Sequence, residues 1–212
     1  YRSVPMENLV QQARHLVENG AKELILVAQE TTLYGTDLYG KKSLPQLLEA
    51  LSELEELRWI RILYCYPEEI TMELVQAIKR LPKVCHYLDI PIQHGSDDIL
   101  RRMGRWTNKA QLMEKIALLR REIPDIVLRT TLITGFPGET REEFEELKEF
   151  VRQMRFERLG VFGYSKEEDT PAAEMEDQIP EDVKEARKDE IMALQQEIAF
   201  EHAAGMIGRK LE

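Results

Sequence analysis

The chain has 212 residues, 43% of them hydrophobic, and a formal net charge of −10. That length supports one sizeable core, no stretch approaches 18 consecutive apolar residues, and the opening "YRSVPMENLV" lacks the basic start and apolar run of a signal peptide. From Ser165 onward there are 14 acidic against 6 basic residues, so the body is nearly neutral; that argues against a basic face gripping nucleic acid and for a solvated acidic helix face in the tail.

The pattern along the chain is strand then helix, repeated. An opening helix over about 5–19 ends at Gly20. "ELILVA" (23–28) is the first strand, and Ser43 then precedes "LPQLLEALSEL", with Pro45 in its first turn. "WIRILY" (59–64) and "CHYLDI" (85–90) are strands of the same kind, and Thr107 precedes the helix "NKAQLMEKIALLRR". "IVLRTTLIT" (126–134) leads to Thr140 and Glu143, the capping box of "FEELKEFVRQM". "LGVFGY" (159–164) is the last strand, and a long helix over about 181–204 follows Pro180. Alternation of this kind means parallel strands with right-handed crossovers, which fits both a doubly wound sheet and a barrel. No G-x-G-x-x-G follows the first strand and there is no Walker P-loop. In either fold the chemistry collects beyond the C-terminal strand ends.

Those ends carry "QETTLYG" (29–35), "CYPEE" (65–69), "PIQHGSD" (91–97), "GFPGET" (135–140) and "SKEEDTP" (165–171). The set is rich in hydrogen-bonding groups and poor in nucleophiles. It shows no Ser-His-Asp arrangement and no H-E-x-x-H, and the four histidines, at 15, 86, 94 and 202, do not group as zinc ligands. A rim of this kind is built to hold a polar small molecule. In "GFPGET" two glycines around a proline preset a tight turn that something approaches closely, with Glu139 able to fold back onto its N–H groups; a plain connector fits the same residues. Arg105 could return to the rim and take a carboxylate in bidentate fashion, or be an exposed arginine at a helix end. Cys65 and Cys85 fit no metal motif and are too few for a disulfide framework, which points to a reducing cytoplasmic setting.

Four blocks together, "VAQETTLYG", "YLDIPIQHGSDDILRRMGR", "LRTTLITGFPGETREEFEEL" and "VFGYSKEEDTPAAEM", resemble the radical S-adenosylmethionine (SAM) methylthiotransferases over nearly the whole chain. "AQETTLYG" and "LDIPIQH" are similar to the branch that modifies an aspartate of a small-subunit ribosomal protein, with Glu30 where that branch usually has Asp; the tRNA (adenosine) methylthiotransferase branch is the alternative. The resemblance implies an α/β fold, the partial (β/α)6 TIM-like barrel of radical-SAM enzymes. The barrel would span about 1–165 and an acidic helical extension about 166–212. The first strand and cluster loop would be missing from this chain, and "GMIGRKLE" would approach a small β domain that follows.

The resemblance further implies addition of a methylthio group to the aspartate β-carbon. The cofactors would be SAM and a 4Fe-4S cluster, with two clusters in the full-length parent, one of them in an N-terminal domain. The partners would be the ribosomal protein and an electron donor, with no membrane and no strong nucleic-acid binding by this domain. Residue by residue, Gln29 would meet the methionyl amino group of SAM and Arg105 its carboxylate. Gln93 and Thr131 would contact the ribose, and Gly135 to Glu139 would pack on the adenine through backbone. Tyr34, Tyr66 and His94 would face the substrate. The cluster cysteines are expected upstream of Tyr1, since Cys65 and Cys85 lie 20 apart and cannot hold three irons from one short loop. The chain alone is therefore expected to be inactive. Two rivals come from other classes: a cluster-free barrel acting as a binding module, and a barrel lyase or aldolase, for which Lys166 is the only rim lysine.

Overall fold

The computed structural model describes residues 2–210; Tyr1 and the last two residues of "GMIGRKLE", Leu211 and Glu212, lie outside them. The chain divides into two compact units, Tyr1–Ile90 with Ala117–Val127, and Pro91–Ile116 with Leu128–Glu212.

In the first unit three parallel strands run side by side: β1 (Glu23–Leu26), β2 (Trp59–Ile62) and β3 (Val84–Asp89). Glu23 pairs with Trp59 and Ile62 with Leu88, with one irregularity between Ile60 and Ile62. Side chains alternate across a strand, so Leu24, Ile60, Ile62, Val84 and Leu88 are buried while Ile25 and Trp59 stay exposed. The helices are α1 (Met6–Glu18), the single turn α2 (Thr36–Tyr39), α3 (Leu44–Ser52) and α4 (Met72–Arg80). In α3 the buried Leu44, Leu47, Leu48 and Leu51 fall at i, i+3, i+4 and i+7, one apolar stripe packed on β2, α1 and α4. Burying each such leucine contributes roughly 1.5–3 kcal/mol. α4, absent from the expected elements, has the same logic: Thr71 caps it by accepting from Leu74 N–H at 3.2 Å, and Leu74, Val75 and Ile78 are buried.

The second unit holds α5 (Asp97–Arg102), β4 (Val127–Thr134) from its second residue on, α7 (Arg141–Met154), β5 (Arg158–Gly163) and α8 (Glu181–Ala204); α6 (Lys109–Glu122) straddles the boundary. β4 and β5 pair in parallel, Arg129 with Arg158 through to Thr134 with Gly163. α7 buries Phe144, Leu147, Phe150 and Val151, and α8 lies on β5 and α7 through Lys184, Arg187, Ile191, Gln195 and Ile198. The cap expected at Thr107 falls one residue later. Asn108 Oδ1 accepts from Gln111 N–H at 2.9 Å while Gln111 Oε1 accepts from Asn108 N–H at 3.0 Å, a reciprocal pair that Thr107 is too early to make.

The box at α7 is formed as expected: Thr140 accepts from Glu143 N–H at 3.2 Å and Glu143 accepts from Thr140 N–H at 2.7 Å. Thr140→Ala should lower the unfolding free energy by about 1 kcal/mol, read by denaturant titration, with Thr140→Ser close to the parent.

Candidate functional site

In the first unit the strand ends are tied together by Glu30. One carboxylate oxygen accepts from Thr32 N–H (2.8 Å) and the Thr32 hydroxyl, the other from Tyr66 N–H at 2.8 Å, which joins the segment after β1 to the segment after β2. Burial pushes the Glu30 carboxyl up against the lowering effect of these bonds. Gln29 beside it is exposed, Tyr66 is half-buried, and Thr31 N–H donates to Tyr64 O at 3.0 Å. Tyr34 lines a cavity of about 320 Å3 with Ile25, Val27 and Leu47. It was expected to face substrate, yet it is buried and its hydroxyl donates to Val4 O at 2.9 Å; burial, with Tyr39 beside it, pushes its phenol up.

Cys65 is fully buried, and burial, helped by Glu30 and Asp89, pushes its thiol well up. Burial also raises Cys85, against the opposing charge of Arg61. Iron–sulfur clusters are held by thiolates, so two thiols held neutral do not fit a cluster.

In the second unit the segment Pro91–Ser96 gathers several expected residues. Gln93 N–H donates to Thr131 O at 2.9 Å and Ile133 N–H to Gln93 O at 2.8 Å, a bridge that continues β4 sideways. Gln93 nevertheless has φ +78°, a conformation that costs a non-glycine residue roughly 1–3 kcal/mol and that clusters at functional sites. The two backbone bonds hold it there, and its half-buried amide has no hydrogen bond among the described residues. Thr131 is half-buried on the less buried face of β4. Arg105 follows Gly104, which ends α5 at φ +72°, and its guanidinium donates to Pro91 O. The structure thus ties the Gln93 backbone to Thr131 of β4 and the Arg105 guanidinium to Pro91, two residues before Gln93. A preset amide, a hydroxyl and an anchored guanidinium suit the ribose and carboxylate of a SAM-like ligand.

The "GFPGE" turn is as tight as its glycines suggest, with φ +68° at Gly135 and +78° at Gly138. What approaches Gly135 is α8: a Cβ there would lie 2.3 Å from Lys184 Cγ. Glu139 does fold back, accepting from Gly135 N–H at 2.8 Å; its side chain is buried, so only the turn's backbone is left for a ligand. Its other oxygen accepts from Arg187 Nη1 at 2.7 Å, and its carbonyl takes the same nitrogen at 3.0 Å.

His94, expected to face substrate, is buried in this structure. The ring is 0% exposed: Nδ1 accepts from Ser96 N–H at 3.0 Å and Nε2 lies 3.4 Å from Glu139 Oε2. Sequence reasoning missed Tyr64, exposed at φ +58° just past β2, because nothing in composition marks a left-handed tyrosine. It missed Lys184 and Arg187 too, although two bases three apart in an acidic helix could have been noticed. Tyr164 ends β5 with its ring 5.3 Å from Phe136 and its buried hydroxyl without a partner among the described residues.

The parallel strands and the helices between them define an α/β protein. The family model described as the Radical SAM superfamily matches residues 1–151, and the chain belongs to that superfamily. It is 67% identical over all 212 residues to a protein named ribosomal protein uS12 methylthiotransferase RimO from Lachnoclostridium phytofermentans, and 53% identical to the protein of that name from Clostridium perfringens. It spans 48% of each, so the chain covers about half the length of these relatives. Among solved structures it is similar to coproporphyrinogen III oxidase (HemN) from Escherichia coli, a radical SAM enzyme, with TM-score 0.68 and 18% identity over 91% of this chain and 45% of that one. That likeness shows the fold, the radical-SAM α/β type expected from the sequence.

Glu30 generates a pH prediction. Its folded pKa is raised above the ordinary value of 4.5, so the stability it contributes is full below 4.5 and falls as pH rises through the folded value. The unfolding free energy of the parent minus that of Glu30→Gln should therefore shrink from about pH 4.5 upward; a flat or rising difference counts against the assignment.

Proposed function

We propose that this chain is the SAM-binding core of a methylthiotransferase that acts on ribosomal protein uS12, adding a methylthio group to the β-carbon of an aspartate. The carrying observation is the 67% identity along all 212 residues, rim included, with a relative bearing that name. When bound, SAM and a 4Fe-4S cluster supply the radical that takes hydrogen from the substrate carbon, while the protein supplies position and shielding.

This chain's residues do the positioning. Gln93 offers its amide to the ribose, the Thr131 hydroxyl is the second ribose contact, and Arg105 offers its guanidinium to the methionyl carboxylate. The backbone of Gly135 to Glu139 forms the adenine wall. Within the first unit, exposed Gln29 and half-buried Tyr66 are the polar residues offered for contact. The cluster is held by other parts of the full-length protein, since Cys65 and Cys85 do not fit it. Residues 1–165 form the core and 166–212 the acidic extension. An electron donor is the second partner, and the work is done in the cytoplasm, where uS12 is made and assembled. The near-neutral body supports a protein substrate over a nucleic acid.

Full-length protein loaded with cluster should transfer a methylthio group to uS12, detected by mass spectrometry, and leave tRNA unmodified; modification of tRNA alone overturns the reading. Gln93→Ala should weaken SAM binding about tenfold, or about 1.4 kcal/mol, at unchanged thermal stability. His94→Ala should instead act first on thermal stability, because its ring is fully buried.

A further inference from the structure

We propose that Arg187, on α8, is a positioning residue for the SAM site. It holds the Glu139 carboxylate, and through that carboxylate it fixes the Gly135–Glu139 turn, against which the buried His94 ring packs. The proposal rests on the reading of the turn and of the Gln93 segment as SAM-binding.

Arg187 is 8% exposed and its Nη1 contacts Glu139 twice, at Oε1 (2.7 Å) and at the backbone oxygen (3.0 Å). Its guanidinium carbon lies 5.4 Å from the Phe144 ring centre, and its Nε is buried without a partner among the described residues. Glu139 and the Phe144 face therefore set its orientation. The second oxygen of Glu139 takes Gly135 N–H, which closes the turn at a residue with φ +68°. That same oxygen faces His94 Nε2 at 3.4 Å. Nδ1 of His94 accepts from Ser96 N–H, while Nε2 is buried and makes no hydrogen bond among the described residues, so it meets the carboxylate by proximity alone. His94 is bonded in sequence to Gln93, whose left-handed backbone needs external restraint to persist. One guanidinium is thus one carboxylate away from the turn.

A second contact seats the same face of α8. Lys184 lies three residues earlier, its carbonyl accepts from the Thr134 hydroxyl at 3.3 Å, and its side chain fills the space against Gly135. Positions three apart share a helix face, so Lys184 and Arg187 press on the turn together. Both lie beyond residues 1–151, the part that matches the superfamily. The clamp is supplied by the extension, which gives the acidic tail a task at the site.

The test compares Arg187→Gln and Arg187→Lys with Gln93→Ala and Arg105→Ala in full-length, cluster-loaded protein. SAM dissociation constants come from equilibrium dialysis, exchange of the Gly135 amide from mass spectrometry, and KM for SAM and for uS12 from kinetics. Arg187→Gln should raise the SAM dissociation constant about tenfold and speed Gly135 exchange, leaving kcat at saturating SAM and KM for uS12 within about twofold. Arg187→Lys, which keeps one charged bond, should recover most of the affinity, with a loss of about threefold. If Arg187→Gln binds SAM like the parent while Gln93→Ala or Arg105→Ala loses affinity, the positioning role is overturned and the SAM reading stands. If neither of those two variants changes SAM binding, the reading of the segment itself fails. A parallel rise in KM for uS12 means general loosening and also overturns the proposal. Should Arg187→Gln not fold, unchanged affinity and exchange in Arg187→Lys overturn it.

Discussion

The second unit depends on one buried carboxylate. Glu139 is 2% exposed, and an ionised group so placed loses its hydration, a penalty of several kcal/mol that only specific donors offset. Gly135 N–H and Arg187 are those donors. Removing one member of such a pair costs about 3–5 kcal/mol, because the other is left charged and dry. The geometry around it follows. Gly135 must be left-handed for its N–H to point inward, and α8 must come close enough for Arg187 to reach. His94 Nε2 lies 3.4 Å from the same oxygen, in a fully buried ring.

Glu30 does for the first unit what Glu139 does for the second, with different chemistry. It joins two strand ends through Thr32 and Tyr66, whose groups are neutral donors. Those donors do not offset the desolvation, so burial wins and the Glu30 carboxyl is pushed up. Both carboxylates sit just past a strand and close backbone that cannot close on itself.

Most of the element order was legible because it rests on local signals. Strands followed from short apolar runs, and the α7 cap followed from Thr140 and Glu143 standing three apart. The α6 cap slipped from Thr107 to Asn108 because both residue types cap helices and only the partner Gln111 decides. α4 was unread although Thr71 and a Leu74, Val75, Ile78 stripe encode it. At the site, the rim positions were legible as places past strand ends. The burial of His94 was not, since it depends on Glu139, 45 positions away, and on the packing of α8. Nor was Arg187, which meets Glu139 across 48 residues, a distance over which sequence spacing carries no geometric information.

The tail's net charge illustrates how bulk numbers mislead at a site. Along α8 the buried positions are Lys184, Arg187, Ile191, Gln195 and Ile198, a spacing of three and four that keeps one face inward. Glu181, Asp182, Glu185, Asp189, Glu197 and Glu201 are all exposed, and Glu190 is half-buried with Lys148 at 2.8 Å. The acids are therefore the solvated surface, while two of the tail's six bases are turned inward against the turn after β4. A segment that reads as strongly negative delivers positive charge to the one place where it meets a buried carboxylate. Its function lies in the sign of its inner face, which the sum over the segment conceals.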